Sequence, residues 1–441
     1  MSEPTTIYQR PAELLQALVR FDTTNPPGNE AACIGYIEGL LKSHNIETTI
    51  LAKDPNRPNV VARLKGSGKA APLLLYGHVD VVTTVGQQWS RPPFGAEVAE
   101  GFIWGRGTLD MKGGVAMMLA AFLRAKANGL SLPGDVVFCA VSDEEVGGTV
   151  GAQFLVDNHK EQFEGIKYAL GELGGFTMHI SGQRFYPIMV AEKQICAMKV
   201  TVRGPAGHGS MPLRGGAMAK AARLLSTLDR KRLPVHITPV VRQMLETMSA
   251  RLPFPTNTML RQLLNPMLTD RILDVLGSRG RTVNPLLHNT VSPTMIEASS
   301  KINVIPAQVN IALDGRLLPG FTPDDMLREL KALIGNEAEI IVERYDPGPA
   351  EVNMGLYETL ANILREADPG GIPTPLLFSA VTDGRCFAQI GIQTYGFLPM
   401  QLPEGFNFSE TIHAADERIP VRAMEFGTDA IYKTLERFGD A

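Results

Sequence analysis

The chain has 441 residues, of which 44% are hydrophobic and 20% charged, and its formal net charge is -4. That length exceeds what one hydrophobic core usually organises, and the composition excludes a disordered or fibrous chain. Acids and bases are interspersed, so nothing in the overall balance steers the protein to nucleic acid or an anionic membrane, and small-molecule chemistry is expected.

The opening stretch MSEPTTIYQR lacks the apolar core of a secretory signal, and the longest strongly apolar run, 115–123, is too short to span a bilayer. A cytoplasmic protein is expected. Helical spacing runs through 12–21, 31–43 and 113–127, and between these lie the continuous apolar runs 73–76 and 136–141. Strands apolar on both faces and alternating with helices predict an α/β fold with a mostly parallel sheet between helices. From about Lys193 the pattern changes. In ICAMKVTVRG, Cys196, Met198, Val200 and Val202 form one face and Lys199, Thr201 and Arg203 the other; Val309, Ile311 and Leu313 alternate with polar neighbours in the same way. Such one-sided strands predict an antiparallel sheet in an inserted α+β domain. A Met- and Leu-rich, Pro-broken segment, 234–277, has helical spacing and predicts extra lid or dimer-interface helices. DPGPA, starting at Asp346, closes the insertion before a helical run near Leu356. The expected organisation is therefore a catalytic domain of 1–192 and 348–441, with a lid or dimerisation domain of 193–347 between its parts. The four cysteines are far apart and mostly in apolar runs, so buried reduced thiols are expected rather than a disulfide frame or a Cys-metal site.

Metal-seeking side chains recur at strand ends and Gly-bounded turns. His78 in GHVD follows an apolar strand directly, at the end where open α/β sheets place ligands. Asp80, two residues on, would point to the same side and could accept the ring's second N–H; alone, GHVD equally fits a surface His beside an N-cap Asp. Asp110 in GRGTLDMKGG precedes a helix, where an Asp is commonly a cap, but its two oxygens could also bridge two cations. Glu144 and Glu145 in SDEEVGG end another buried strand. In an extended chain they would face opposite ways, one as ligand and the other toward an activated water. Glu172 in GELGG repeats the arrangement of strand, acid and glycine. With His413 these residues read as a carboxylate-rich two-metal hydrolase centre. Gly105 and Gly107 do not complete a dinucleotide loop, and neither a phosphate loop nor a GxSxG elbow occurs. His44, His159, His179, His236 and His288 lie outside these motifs and are given no metal role.

GHVDVV, GRGTLDMKGG, SDEEVGG, GELGG, GPAGHGSMP, NVIPAQ and IHAADE, in that order, resemble the metallo-exopeptidase and deacylase family of acetylornithine deacetylase, succinyl-diaminopimelate desuccinylase, carboxypeptidase G and aminoacylase. The resemblance covers nearly the whole chain. It implies that His78 and Glu172 hold one divalent ion and Glu145 and His413 another, with Asp110 bridging. Zinc is the expected metal, with cobalt or manganese possible. It also implies Glu144 as general base, Asp80 as the residue orienting His78, and His208 as oxyanion stabiliser. Asn303 and Arg316 resemble the family's substrate-binding pair, a surface salt bridge being the alternative for Arg316. TDGR, around Asp383 and Arg385, is family-like but read as structural. GELGG places Leu173 between Glu172 and Gly174 where related chains often have Gly directly. The expected activity is hydrolysis of an amide bond, peptide or N-acyl, in a small carboxylate-bearing substrate by a homodimer joined through the lid. A non-catalytic binding protein that kept the fold is the alternative.

Overall fold

The computed structural model describes residues 4–349 and 351–440; the first three residues of the MSEPTTIYQR start and Ala350, at the end of DPGPA, lie outside them. The chain forms two compact units. One comprises Met1–Val190, Asn353–Leu376 and Thr382–Ala441, and the other Ala191–Val352 with Leu377–Val381.

The larger sheet runs, in spatial order, Thr48–Leu51, Asn59–Leu64, Val136–Val141, Leu73–His78, Tyr168–Gly171, Gln393–Gly396, Gln183–Glu192 and Gly371–Phe378, with Met178–Ile180 paired to Gln183–Glu192. Its middle is parallel and its flanks antiparallel: Leu73–His78 pairs in parallel with Val136–Val141 and Tyr168–Gly171, whereas Asn59–Leu64 pairs antiparallel with Val136–Val141. All six residues of Leu73–His78 and of Val136–Val141 are buried, as strands covered by helices on both faces must be. On one face lies the helix Lys112–Ala127, apolar nearly all round, with Pro11–Val19 and Val421–Arg437 packed against it. A cluster that includes Leu74, Tyr76, Val137, Cys139, Leu155 and Phe387 forms a core on this sheet. The parallel strands all end at the same edge of the sheet. His78 closes one of them, Asp143 to Glu145 follow the next after Ser142, and Glu172 directly follows Tyr168–Gly171.

The second unit is built on an antiparallel sheet in the order Thr290–Glu297, Gln308–Leu317, Gln194–Arg203 and Ala338–Asp346. Cys196, Met198, Val200 and Val202 are buried with Val309, Ile311 and Leu313, under the helices Ala217–Arg230 and Pro323–Ile334, which add Ala221, Leu224, Met326 and Leu330. The second of these helices starts at a reciprocal cap between Thr322 and Asp325. The Pro-broken segment folds as four helices, Pro239–Ser249, Thr256–Gln262, Pro266–Leu276 and Ser278–Leu287, so helix continues beyond Gly277. Thr238 and Asn265 cap two of them, each followed by Pro at the first helical position. All four cysteines are buried, and among the described residues there is no disulfide.

Gly396 ends its strand beside Glu172. A Cβ there would lie 2.1 Å from the Leu173 carbonyl oxygen and 2.4 Å from that of Glu172. Both obstacles are backbone, so Gly396→Ala is expected to cost about 1–3 kcal/mol, as overpacking does. The denaturation midpoint checks this, and an unchanged midpoint would mean that the strand end gives way freely.

Candidate metal centre

His78 is 1% exposed, and its two ring nitrogens face different partners. Nδ1 lies 3.0 Å from the backbone carbonyl of Asp80 and 3.4 Å from its carboxylate, so the ring is held mainly by the main chain, with the carboxylate behind it. Nε2 points the other way, 3.1 Å from Asp110 Oδ1 and 3.6 Å from Glu172 Oε2. The Asp80 carboxylate has a further task. Its oxygens accept the backbone N–H groups of Glu144 (3.1 Å) and Glu145 (3.2 Å) and the Asn25 side-chain amide (2.8 Å). One buried carboxylate thereby anchors both the imidazole and the acidic turn.

That turn is not extended. Asp143 adopts φ 73°, and Glu144–Val146 is a single 3-10 turn, so strand alternation does not set the directions of the two glutamates. Aspartate tolerates the left-handed conformation, and here its side chain is tied down on every side. It accepts from Arg57 (2.9 Å), Asn25 (3.2 Å), Thr149 (3.0 Å) and the Val150 N–H (3.1 Å). Arg57 in turn pairs with the fully buried Glu30 at 2.7 Å. Leu173 also has a left-handed φ, 67°, a conformation that favours glycine.

Asp110 does not act as a helix cap. The helix starts at Lys112 with Met111 at the cap position, and no side chain caps it. Instead the carboxylate offers one oxygen to each imidazole: Oδ1 lies 3.1 Å from His78 Nε2 and Oδ2 3.1 Å from His413 Nε2. Glu145 Oε1 stands 3.3 Å from the same His413 nitrogen. Two groups result, His78 with Asp110 and Glu172, and Asp110 with Glu145 and His413, and within each the ligand atoms lie within 4.8 Å of one another. Asp110 is shared. The donors are imidazole nitrogens and carboxylate oxygens without thiolate, a set that fits Zn, Co or Mn.

Residues assigned no role from sequence hold these ligands. Glu417, fully buried, accepts the backbone N–H groups of Leu109 (2.8 Å) and Asp110 (3.2 Å) with one oxygen and takes Arg106 at 2.7 Å with the other. Arg106 also donates to the carbonyls of Ala414 (3.1 Å) and His413 (3.2 Å), and Gln87 donates to that of His413 at 2.8 Å. His413 itself sits at φ 60°. Glu417 stands inside IHAADE, so its position was visible in the sequence, but its burial against Arg106 was not.

Electrostatics at the site are dominated by crowding of acids. Burial, reinforced by the charge of Glu172, pushes the Glu144 carboxyl well above the usual range. Burial raises Glu172 to about 7, the nearby Asp110 charge adding to it. The imidazoles respond in the opposite sense. Hydrogen bonds to Asp110 and Glu145 raise His413 to about 10. Burial opposes a charge on His78, but Asp110, Asp80 and Glu172 outweigh it and hold its pKa well above the usual value. An apolar wall stands beside Asp110 and Glu172: Phe176 stacks on Phe408 at 4.1 Å, with Leu398, Met400 and Ile412 around them.

His208, Asn303 and Arg316 belong to the second unit. His208 is exposed, with Nδ1 2.8 Å from Ser210 Oγ, and its short strand pairs with Val304–Ile305, next to Asn303, whose carbonyl accepts the Gly209 N–H at 2.8 Å. Arg316 makes a fork with Asp314 at 2.8 and 3.2 Å, the salt-bridge alternative raised by the sequence. Asp383 and Arg385 are buried near the acidic turn, and Arg385 donates to the Gly147 carbonyl at 2.7 Å. His44, His179 and His288 bond to backbone carbonyls, whereas His159 and His236 face Glu161 and Glu329.

A family profile described as peptidase family M20/M25/M40 matches residues 74–437. The chain is 30% identical over 367 residues to the N-fatty-acyl-amino acid synthase/hydrolase PM20D1 of Xenopus tropicalis, covering 80% of this chain and 70% of that one. It is 33% identical over 210 residues to the succinyl-diaminopimelate desuccinylase of Methylorubrum extorquens (strain PA1), covering 46% and 52%. Among solved structures, the M20 family metallo-carboxypeptidase Sso-CP2 from Sulfolobus solfataricus superposes with a TM-score of 0.69 at 17% identity over the whole of both chains.

Without metal, Glu172 and His413 both have folded pKa values above their ordinary ones, so what they contribute to stability is complete at low pH and lost as pH rises through about 7 and about 10 respectively. Metal reverses this, because it requires the deprotonated ligands. The Tm of the metal-free protein is expected to fall as pH rises from 5 toward 10, and the Tm gained on adding zinc to grow over the same range. Thermal unfolding with and without metal across that range measures both. A zinc-induced gain that shrinks with rising pH would contradict the assignment.

Proposed function

The chain belongs to peptidase family M20/M25/M40, and on that premise we propose that it is a two-metal hydrolase cleaving the amide bond of a small, carboxylate-bearing N-acyl or peptide substrate. The observation that carries this reading is Asp110 presenting one oxygen to each of two three-residue ligand sets, with Glu144 next in sequence to the ligand-set residue Glu145. His78, Asp110 and Glu172 would hold one ion and Asp110, Glu145 and His413 the other. Bound divalent cations at such a site supply Lewis acidity and lower the pKa of water.

The side chains do the rest. Glu144, whose burial raises its affinity for a proton, would act as a carboxylate, taking a proton from the attacking water and returning it to the departing amine. Asp80 keeps Nε2 of His78 turned to the ligand set and fixes the turn that carries Glu144. The wall of Phe176, Phe408, Leu398 and Met400 favours an apolar group on the substrate and excludes water beside Asp110 and Glu172. An acyl substrate agrees with the relatives named above, a fatty-acyl-amino acid hydrolase and a desuccinylase. His208 as oxyanion donor, with Asn303 and Arg316 as carboxylate-binding groups, rests on motif resemblance and on the fork geometry of guanidinium.

Three narrower points belong to the same reading. Zinc is the proposed metal, from the imidazole and carboxylate donors. A homodimer through the second unit is supported by its edge strand Thr290–Glu297, which exposes Met295 and Ile296. A cytoplasmic setting is supported by four buried cysteines that form no disulfide among the described residues. Among the described residues no helix is long and apolar enough to cross a membrane.

Replacing Glu144 with Gln is expected to leave bound metal near the native level while lowering kcat on N-acyl amino acids or dipeptides by about 10²–10⁴-fold, the usual share of general acid–base catalysis. Metal analysis and steady-state kinetics on one preparation measure both. Retained turnover would refute Glu144 as base, and hydrolysis confined to phosphate or ester compounds would refute the amide assignment.

A further inference from the structure

The formal charge of -4 conceals an uneven distribution. Residues 230–287 of the second unit carry nine Lys or Arg against three Asp or Glu, a local +6. The three acids are already engaged: Asp270 and Asp274 with Arg232 at 3.6 and 2.6 Å, and Glu246 with Arg242 at 3.9 Å. Arg251, Arg261, Arg271, Arg279 and Arg281 are exposed and have no carboxylate partner among the described residues. Large apolar side chains stand exposed among them. Phe254 is 80% exposed, Met267 87% and Val275 80%. In the helix Pro266–Leu276, Met267, Arg271 and Val275 recur at four-residue spacing on one outer stripe, whereas Thr269 and Leu273 are buried. This helix thus has an inner face that packs and an outer face that is basic and apolar together.

We propose that this helical segment docks the enzyme reversibly on an anionic lipid surface. Each half of the pattern has its own role. Arginines near a negatively charged headgroup layer gain Coulomb energy, and Met, Val and Phe side chains beside them can enter the boundary between headgroups and acyl chains. A nucleic acid would reward the cations but give Met267 and Val275 nothing to bury against, and its single-stranded forms would call for aromatic stacking platforms that this stripe lacks. An acidic protein partner would likewise need a complementary apolar patch of its own. The surface makes no use of the metal centre, so docking is independent of turnover.

The test is co-sedimentation of the full chain with vesicles of phosphatidylcholine alone or mixed with phosphatidylglycerol, at low and raised salt. Binding is expected to the anionic vesicles only and to weaken with salt. The variant Arg271→Gln/Arg279→Gln/Arg281→Gln should lower the partition coefficient by roughly fivefold per charge removed, about hundredfold in total. Met267→Ser/Val275→Ser, which keeps every charge, should lower it by roughly tenfold. Both variants should keep the native circular dichroism spectrum and native turnover of a soluble substrate. No sedimentation with anionic vesicles, equal sedimentation with neutral ones, undiminished binding by both variants, or tighter binding to an oligonucleotide than to the vesicles would each overturn the proposal.

Discussion

Concentrating Glu144, Glu145 and Glu172 beyond the ends of two parallel strands, with Asp110 in the turn before the helix Lys112–Ala127, is an electrostatic constraint that the rest of the centre has to meet. Two like charges some 5 Å apart near a protein surface repel by roughly 3 kcal/mol. The metal-free chain meets this with protons: Glu144 and Glu172 are pushed up, and the two imidazoles are held in their charged form. Divalent cations meet it better, because they neutralise all the carboxylates at once and leave Glu144 free to exchange a proton. The same crowding would therefore both favour metal and supply the proposed base.

Such an arrangement persists only where the backbone is held against its preferences. Asp143, Leu173 and His413 have left-handed φ angles of 73°, 67° and 60°, and each adjoins or is one of the acidic and imidazole groups. Around them lie buried anchors: Asp80 gathers two backbone amides and Asn25, Glu417 gathers two more, and Arg57 and Arg106 neutralise the acids that would otherwise be isolated. Buried ion pairs of this kind add little net stability, and their effect here is to specify position. The ligands come from short segments far apart in sequence, and these anchors tie those segments together.

Much of this was legible in the residues because strand ends advertise themselves. An apolar run leading into His or an acid, with glycine close by, marks His78, Glu144, Glu145 and Glu172, and both the parallel middle of the large sheet and the one-sided strands of the second unit follow from their periodicity. What stayed hidden depends on partners remote in sequence. Arg106 and Glu417 are 311 residues apart, and neither belongs to a local pattern that distinguishes a buried anchor from a surface charge. The turn at Glu144 was hidden for a different reason. Alternation describes only extended chain, and a left-handed aspartate had already ended the strand. Whole-chain charge, finally, averages away the basic outer face of the helices near Met267, which only exposure resolves.

The proposed centre requires two ions to share Asp110. Metal content per chain of the native protein and of Asp110→Asn, measured side by side after loading with zinc and removal of the excess, is the decisive measurement. Two ions per native chain and fewer than one in the variant are expected, because both ligand sets lose the same group. A variant that still holds two, or a native chain that holds none, would contradict it.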